Sequence, residues 1–313
     1  MKVIHLGRDS FEKDANAVVT IGTFDGVHLG HRSIFDRLQA ASSKTDGQST
    51  VLTFDLHPQH VLGNRLPVIS ILTPLEEKIR KLESIGIDRV VILPFDKEFA
   101  NLSALEFLED ILVRKIGLKC LVVGFNHSFG RNREGNIDFL HEKSGEFGFD
   151  LDVVDAETIS GIAISSTKIR KALNEGHLEL ANRYLGSIYR LAGEVVRGNS
   201  RGKSLGYPTA NIRLFDSDQL IPAEGVYAIR ILVESREYSG VGSIGRSETF
   251  GNNPLQIEAH LFDFDGDLYG KKLIIELISF LRPQKKFGGV EELIQQMDRD
   301  KVAAKRVAQT IED

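Results

Sequence analysis

The strongest constraint on the fold is an alternation through roughly the first 185 residues. Apolar, β-branched runs at about 17–21, 50–54, 89–93, 119–124 and 151–154 are separated by helical patterns at about 30–43, 74–85, 103–115 and 166–173. This βαβα order predicts an α/β unit: a doubly wound parallel sheet with helices on both faces. Two helix starts are marked by their own chemistry. Thr73-Pro74-Leu75-Glu76 reads as a cap, a proline at the first helical position and a box glutamate, and Ser103-Ala104-Leu105-Glu106 repeats the capping box. Glu179–Leu185 predicts a last helix, stopped by Gly186.

Beyond Gly186 the pattern changes. Runs at about 190–197, 225–233, 237–244, 256–263 and 268–277, separated by glycine and aspartate turns, predict a small antiparallel β-barrel. Val290, Leu293, Ile294 and Met297 then recur at helical spacing, which predicts a terminal helix packed on that barrel. The expected domains are 1–186 and 187–313, and 313 residues suit two of them. The single cysteine, Cys120, lies in an apolar run and reads as a small buried side chain, and no disulfide forms within the chain. The N-terminus turns charged before a secretory apolar stretch develops, and no segment approaches a membrane span, so the expected location is cytoplasmic, with no membrane partner. A net charge of -5 argues against a broad nucleic-acid surface and leaves the chemistry to local sites.

Two segments carry such chemistry in the first region. Gly22-Thr23-Phe24-Asp25-Gly26-Val27-His28-Leu29-Gly30-His31 lies between the run Ala17–Ile21 and a helical face formed by Ile34, Phe35 and Leu38. At a strand-to-helix turn the free N–H groups and the positive dipole end attract phosphate, and glycine allows close approach. His28 and His31, three apart, can face one way. Ile164-Ser165-Ser166-Thr167-Lys168-Ile169-Arg170 opens another helix, with hydroxyls at Ser165, Ser166 and Thr167 and an arginine fork on the same face at Arg170. In a doubly wound sheet these segments, Thr53–Pro58 and Gly124–Gly130 would converge beyond the carboxyl ends of the strands. Zinc held by His28, His31, His57 and His60 is the rival reading, but glycines, an aspartate and a helix start serve phosphate better than a cation.

In the second region, Arg197–Asn211 joins a basic loop with Gly198, Gly202 and Gly206 to the turn Pro208-Thr209-Ala210-Asn211. Alternation in Gln256–Leu261 puts Ile257, Ala259 and Leu261 on one face and Glu258 with His260 on the other. Asp263, Asp265 and Asp267 lack the glycine and distal glutamate of a calcium loop.

Together the motifs resemble the HxGH and ISSTxxR signatures of the nucleotidyltransferase superfamily. More fully, and over essentially the whole chain, they resemble the bacterial bifunctional riboflavin kinase/FMN adenylyltransferase (FAD synthetase) family. The resemblance implies ATP, riboflavin, FMN and FAD as small-molecule partners, with Mg²⁺ as cofactor. It implies catalytic roles for His28, His31 and Arg170, and for Glu258 as the base that takes the riboflavin hydroxyl proton. Gly22, Phe24, Asp25, Gly30, His57, Asn126, Ser165, Ser166 and Thr167 would bind ATP or flavin, Gly198, Gly202 and Gly206 would form a flap, and Thr209 and Asn211 would hold metal and nucleotide phosphates. The chain departs from the family pattern at Leu56, where proline is usual, at Ser200, in Ser243–Phe250 including Glu248, and at Gln284, where glutamate is usual. The same resemblance accommodates two narrower alternatives: this fold with only the adenylyltransferase active, and a non-catalytic flavin-binding regulatory protein.

Overall fold

The computed structural model describes residues 1–62, 69–159, 161–198, 206–234, 236–246 and 255–312. Ser200, Gly202 and the stretch 247–254, with Glu248, lie outside them. The chain divides into two compact units, Met1–Ser166 and Thr167–Asp313.

The first unit is built on a parallel sheet of strands β1 (Lys2–His5), β2 (Ala17–Ile21), β3 (Ser49–Phe54), β4 (Arg89–Leu93), β5 (Leu118–Gly124) and β6 (Asp150–Val154). Their order is β1-β4-β3-β2-β5-β6. From β2 the chain winds one way through β3 and β4, then returns to place β5 on the other side of β2. The switch point, where a doubly wound sheet opens its crevice, therefore lies at the carboxyl end of β2. One core cluster gathers Val19, Leu52, Leu108, Leu112 and Leu121, and a second gathers Val18, Phe35, Leu38, Leu82 and Val122. Alternate residues of β2, β3 and β5 thus feed opposite faces, as a two-sided sheet requires.

Helix α1 (Leu29–Thr45) follows β2, α2 (Pro58–Leu62) follows β3, and α3 (Leu75–Ile85) precedes β4. Ser103 and Glu106 form the expected capping box at α4 (Ala104–Glu106), which runs into a π-helical stretch, Phe107–Ile116. The expected cap at Thr73 is not made. Helix α3 starts one residue later with Pro74 at its N-cap and no side-chain cap, and the Thr73 amide, which a box glutamate would have taken, is given to Asp25 (3.0 Å). Periodicity did not mark β1 or α5 (Ile137–Phe147), although Asn136 caps α5 by accepting from the Phe139 amide (3.0 Å).

In the second unit, strands β7 (Tyr189–Val196), β8 (Ala210–Leu214), β9 (Gly225–Val233), β10 (Arg236–Arg246), β11 (Leu255–Leu261) and β12 (Lys272–Arg282) close a barrel in the order β8-β11-β10-β9-β12-β7. The sequence pattern passed over β8, which the Pro-Thr-Ala-Asn turn enters at Ala210. Alternation along β7 buries Tyr189, Leu191 and Val195. Helices α6 (Ser166–Asn174) and α7 (Leu178–Leu185) accompany the barrel, so the division falls ahead of the boundary expected at 186. Asn182 explains why: its Nδ2 donates to Leu277 O (3.1 Å) and its Oδ1 accepts from the Tyr189 amide (2.8 Å), tying α7 to two barrel strands. The terminal helix α8 (Val290–Glu312) packs chiefly through its later turns, where Ala304 is buried and Asp300 binds Arg282 at 2.7 Å. Val290 stays exposed. Among the described residues no helix is long and apolar enough to cross a membrane.

Candidate functional sites

The turn after β2 is tight and strained. Phe24 and Val27 both have φ of 46°, left-handed values that bulky side chains rarely adopt, and both are buried in the core. Core packing of these two side chains holds the turn in its conformation and sets the start of α1. His28 stands at the N-cap with no side-chain cap bond, and its carbonyl oxygen accepts from the His31 amide (2.8 Å) and the Arg32 amide (3.2 Å). The His28 and His31 rings stack at 3.6 Å with 17° between planes, and Phe24 meets His31 edge-on at 5.2 Å. Gly30 permits this, since a Cβ there would stand 3.2 Å from the His28 ring. Gly22 sits against the Phe24 ring in the same way.

Burial first, then His28 and the Lys78 ammonium, hold the His31 imidazole well below its ordinary 6.5. The free site therefore presents His31 neutral at pH 7. Asp25 is 2% exposed, and its carboxylate accepts from the Leu72 amide (2.9 and 3.0 Å) and the Thr73 amide (3.0 Å). It thereby ties the turn to the segment that leads into α3.

The start of the second motif reaches the same turn: Ser166 Oγ donates to Asp25 O (2.9 Å), and Ile164 O lies 3.5 Å from where a Gly30 Cβ would be. Ser165 and Ser166 are half-buried and Thr167 is exposed; Arg170 is half-buried one turn along α6. His57 follows the end of β3, its Nδ1 accepting from the Gln59 amide at 3.3 Å. Leu56 beside it is exposed. Asn126 is exposed at the end of β5. Its neighbours Phe125 and Phe129 part company: Phe125 is exposed, whereas Phe129 packs against Phe107 and Phe139. Among the described residues no group of three or more His, Cys, Asp or Glu side chains could hold a metal ion, which leaves the zinc reading without a site.

In the barrel, register does what sequence proximity cannot. Glu258 on β11 pairs with Asn211 on β8 and with Ser243 on β10, so three polar side chains form one row across adjacent strands. Glu258, Asn211 and Thr209 are each half-buried. Gly198 lies against Asn211, where a Cβ would fall 2.1 Å from its amide nitrogen. Gly206 has a φ of 81°. His260 Nδ1 donates to Pro208 O (2.8 Å), and Tyr207 OH bonds Asp298, which together fix the approach to β8. The departures at Ser243 and Gln284 meet: Gln284 Nε2 donates to Ser243 Oγ (3.0 Å) and Ile244 O (2.9 Å). A glutamate at 284 has no proton to give those acceptors when ionised. Asp267 Oδ1 accepts from the Tyr269 amide (2.9 Å), within the connection between β11 and β12.

Two buried groups were absent from the sequence reading. Lys78 on α3 is 7% exposed, and burial brings its ammonium down to about 8 against the raising effect of Asp25. His127 is brought down to about 4 by burial and by Arg133, and its Nε2 is buried without a hydrogen-bond partner. A lysine placed at core spacing with Leu75 and Leu82 was the available signal for the first.

A stacked imidazole pair at a helix start on one unit, and a carboxylate in register with amide and hydroxyl oxygens on the other, are chemistry suited to phosphoryl groups. The class these define is an ATP-dependent transferase with two sites. Residues 10–168 match the FAD synthetase family model and residues 185–308 the riboflavin kinase model. The chain is 39% identical to the bifunctional riboflavin kinase/FMN adenylyltransferase of Listeria monocytogenes, over 96% of this chain and 95% of that one. It is 36% identical to the Bacillus subtilis protein of the same name (98% of each) and 37% to that of Escherichia coli (92% and 91%). A crystal structure described as a macrolide-efflux protein from Streptococcus pneumoniae superposes with a TM-score of 0.88 at 29% identity, covering 97% of this chain and 99% of that one. The chain belongs to the bifunctional riboflavin kinase/FMN adenylyltransferase family.

Proposed function

We propose that this chain phosphorylates riboflavin to FMN in its C-terminal barrel unit and adenylylates FMN to FAD in its N-terminal α/β unit, acting in the cytoplasm on free flavins and ATP. The observation that carries the reading is the presence of one phosphate-handling constellation on each family-matched region: the stacked His28–His31 pair at a helix start, and Glu258 in register with Asn211.

For adenylyl transfer, an FMN phosphate oxygen attacks the α-phosphorus of ATP while the bond to pyrophosphate breaks. No covalent enzyme intermediate is needed. His28, His31, Arg170 and the N-terminal end of α1 align the reactants and stabilise charge gathering on the phosphoryl oxygens. Gly22, Phe24, Gly30, Ser165, Ser166 and Thr167 shape the nucleotide cradle, Asp25 anchors it from beneath, and His57 and Asn126 orient substrate from the ends of β3 and β5. For the kinase, the riboflavin 5′-hydroxyl attacks the γ-phosphorus, Glu258 takes its proton during attack and ADP leaves. The Thr209 hydroxyl and Asn211 amide oxygen are hard donors suited to Mg²⁺, which supplies charge neutralisation on the phosphates when bound. Gly198 and Gly206 flank the segment that carries Gly202, which lies outside the described residues, and all three are assigned to nucleotide binding by the family resemblance.

The test is chromatographic resolution of riboflavin, FMN and FAD after incubation with ATP and Mg²⁺, started once from riboflavin and once from FMN. FAD from both starts is the expected result. FAD from FMN alone would restrict the chain to adenylyl transfer, and flavin binding without ATP consumption would replace catalysis by a binding role.

A further inference from the structure

Lysine is almost never buried without a partner, yet Lys78 lies on the core-facing side of α3, in step with the buried Leu82. A leucine would fill that position without desolvating a charge, so the ammonium calls for a use beyond packing. Its contacts lead to the phosphate-binding turn. Lys78 Nζ donates to Thr53 Oγ1 at the end of β3 (3.2 Å), and Thr53 Oγ1 donates to Thr23 O (3.2 Å), the residue before left-handed Phe24. Phe24 in turn rests edge-on against His31.

The charged groups that face the ammonium come from two elements. Asp25, from the turn, favours its protonated form, and His31, from α1, is disfavoured as a cation by it. Lys81, one turn along α3, lies 3.5 Å from Gly26 O. Two imidazolium rings stacked at 3.6 Å would repel each other, so a site built on the His28–His31 stack needs its positive charge from elsewhere.

We propose that Lys78 is a positioning residue for adenylyl transfer: its buried ammonium, tethered through Thr53 to the turn, supplies fixed positive charge beneath the strand ends and holds the turn that sets His31 against His28. The inference rests on the proposed FMN adenylyltransferase reaction. Lys78 acts through His31 and the turn, and substrate contact is left to the histidines and Arg170.

Three measurements on the full-length protein test it. First, kcat/KM for FMN adenylylation in the wild type, which reports the free enzyme, should fall on the alkaline side at about pH 8 as the ammonium is lost; a profile level to pH 10 overturns the proposal without need of a variant. Second, Lys78→Met should lower kcat by about ten- to a hundred-fold with little change in KM for ATP, lose the alkaline limb and leave riboflavin phosphorylation unchanged. Lys78→Gln serves should the methionine variant fail to fold. Third, the His31 ring, followed by NMR without substrate, should titrate at higher pH in the variant. Wild-type kcat, an unmoved alkaline limb or an unmoved His31 titration in a folded variant overturns the role of Lys78, whereas a wild type that forms no FAD from FMN and ATP overturns the reading on which it rests.

Discussion

Replacing Asp25 by asparagine tests how the turn is anchored. In the wild type, Oδ1 accepts from Leu72 and Thr73 amides at 2.9 and 3.0 Å and Oδ2 also accepts from Leu72 at 3.0 Å, all in a site 2% exposed. Asparagine keeps one oxygen, which can still receive both amides, but the bonds lose their charge. Charge-assisted bonds are about twice as strong as neutral ones, so the two amides together lose about 2 kcal/mol. The second loss falls on Lys78, whose ammonium is deprived of the carboxylate that favours it. That loss is capped, because the lysine can give up its proton, and from a group titrating at about 8 the cost at pH 7 is about 1.4 kcal/mol. The expected penalty is therefore about 3–4 kcal/mol at pH 7. At pH 9 Lys78 is already neutral in the wild type and the penalty shrinks to about 2 kcal/mol. Cys120, the sole cysteine, is 6% exposed on the sheet of the same unit, so its rate of reaction with a thiol reagent, set against an unfolded peptide, measures the opening free energy of that sheet. A penalty below about 1 kcal/mol, or one that is the same at pH 7 and pH 9, would refute the argument.

Arg170→Ala should abolish FAD formation from FMN while FMN formation from riboflavin persists, and Glu258→Ala should slow the kinase by about 10²–10⁴ while supplied FMN is still converted; loss of both activities in one folded variant contradicts independent sites. His127 has its folded value lowered to about 4, so the stability it contributes is intact above about pH 6.5 and is lost as pH falls through 4. That loss reaches about 3 kcal/mol, and His127→Phe should flatten this part of the acid limb in the Cys120 reaction. Glu276, 2% exposed, receives Arg190 at 2.6 Å and Arg230 at 2.5 Å. Glu276→Ala should cost about 2–3 kcal/mol, less than a fully buried pair because both guanidinium groups reach water, with hydrogen exchange of β12 amides as the measure.

The sequence by itself determined the motif content and the type of most elements, though not β1, α5 or β8. Strand and helix leave periods of 2 and 3.6 in any short window, and caps or stops such as Ser103 with Glu106 and Gly186 are written in adjacent residues. That His28 and His31 can face one way is read from their spacing of three, and the burial of Cys120 from its apolar run. Tertiary structure alone decided the rest. That the histidine turn lies at the switch between β3 and β5 depends on strand order, and that Glu258 stands beside both Asn211 and Ser243 depends on register. Both are set by which pairings bury the apolar faces and satisfy the backbone together, a condition on distant segments that no local window contains. For the same reason the Thr73 amide goes to Asp25, and Lys78, whose core spacing with Leu75 and Leu82 says only that it faces inward, ends beneath the strand ends against Thr53.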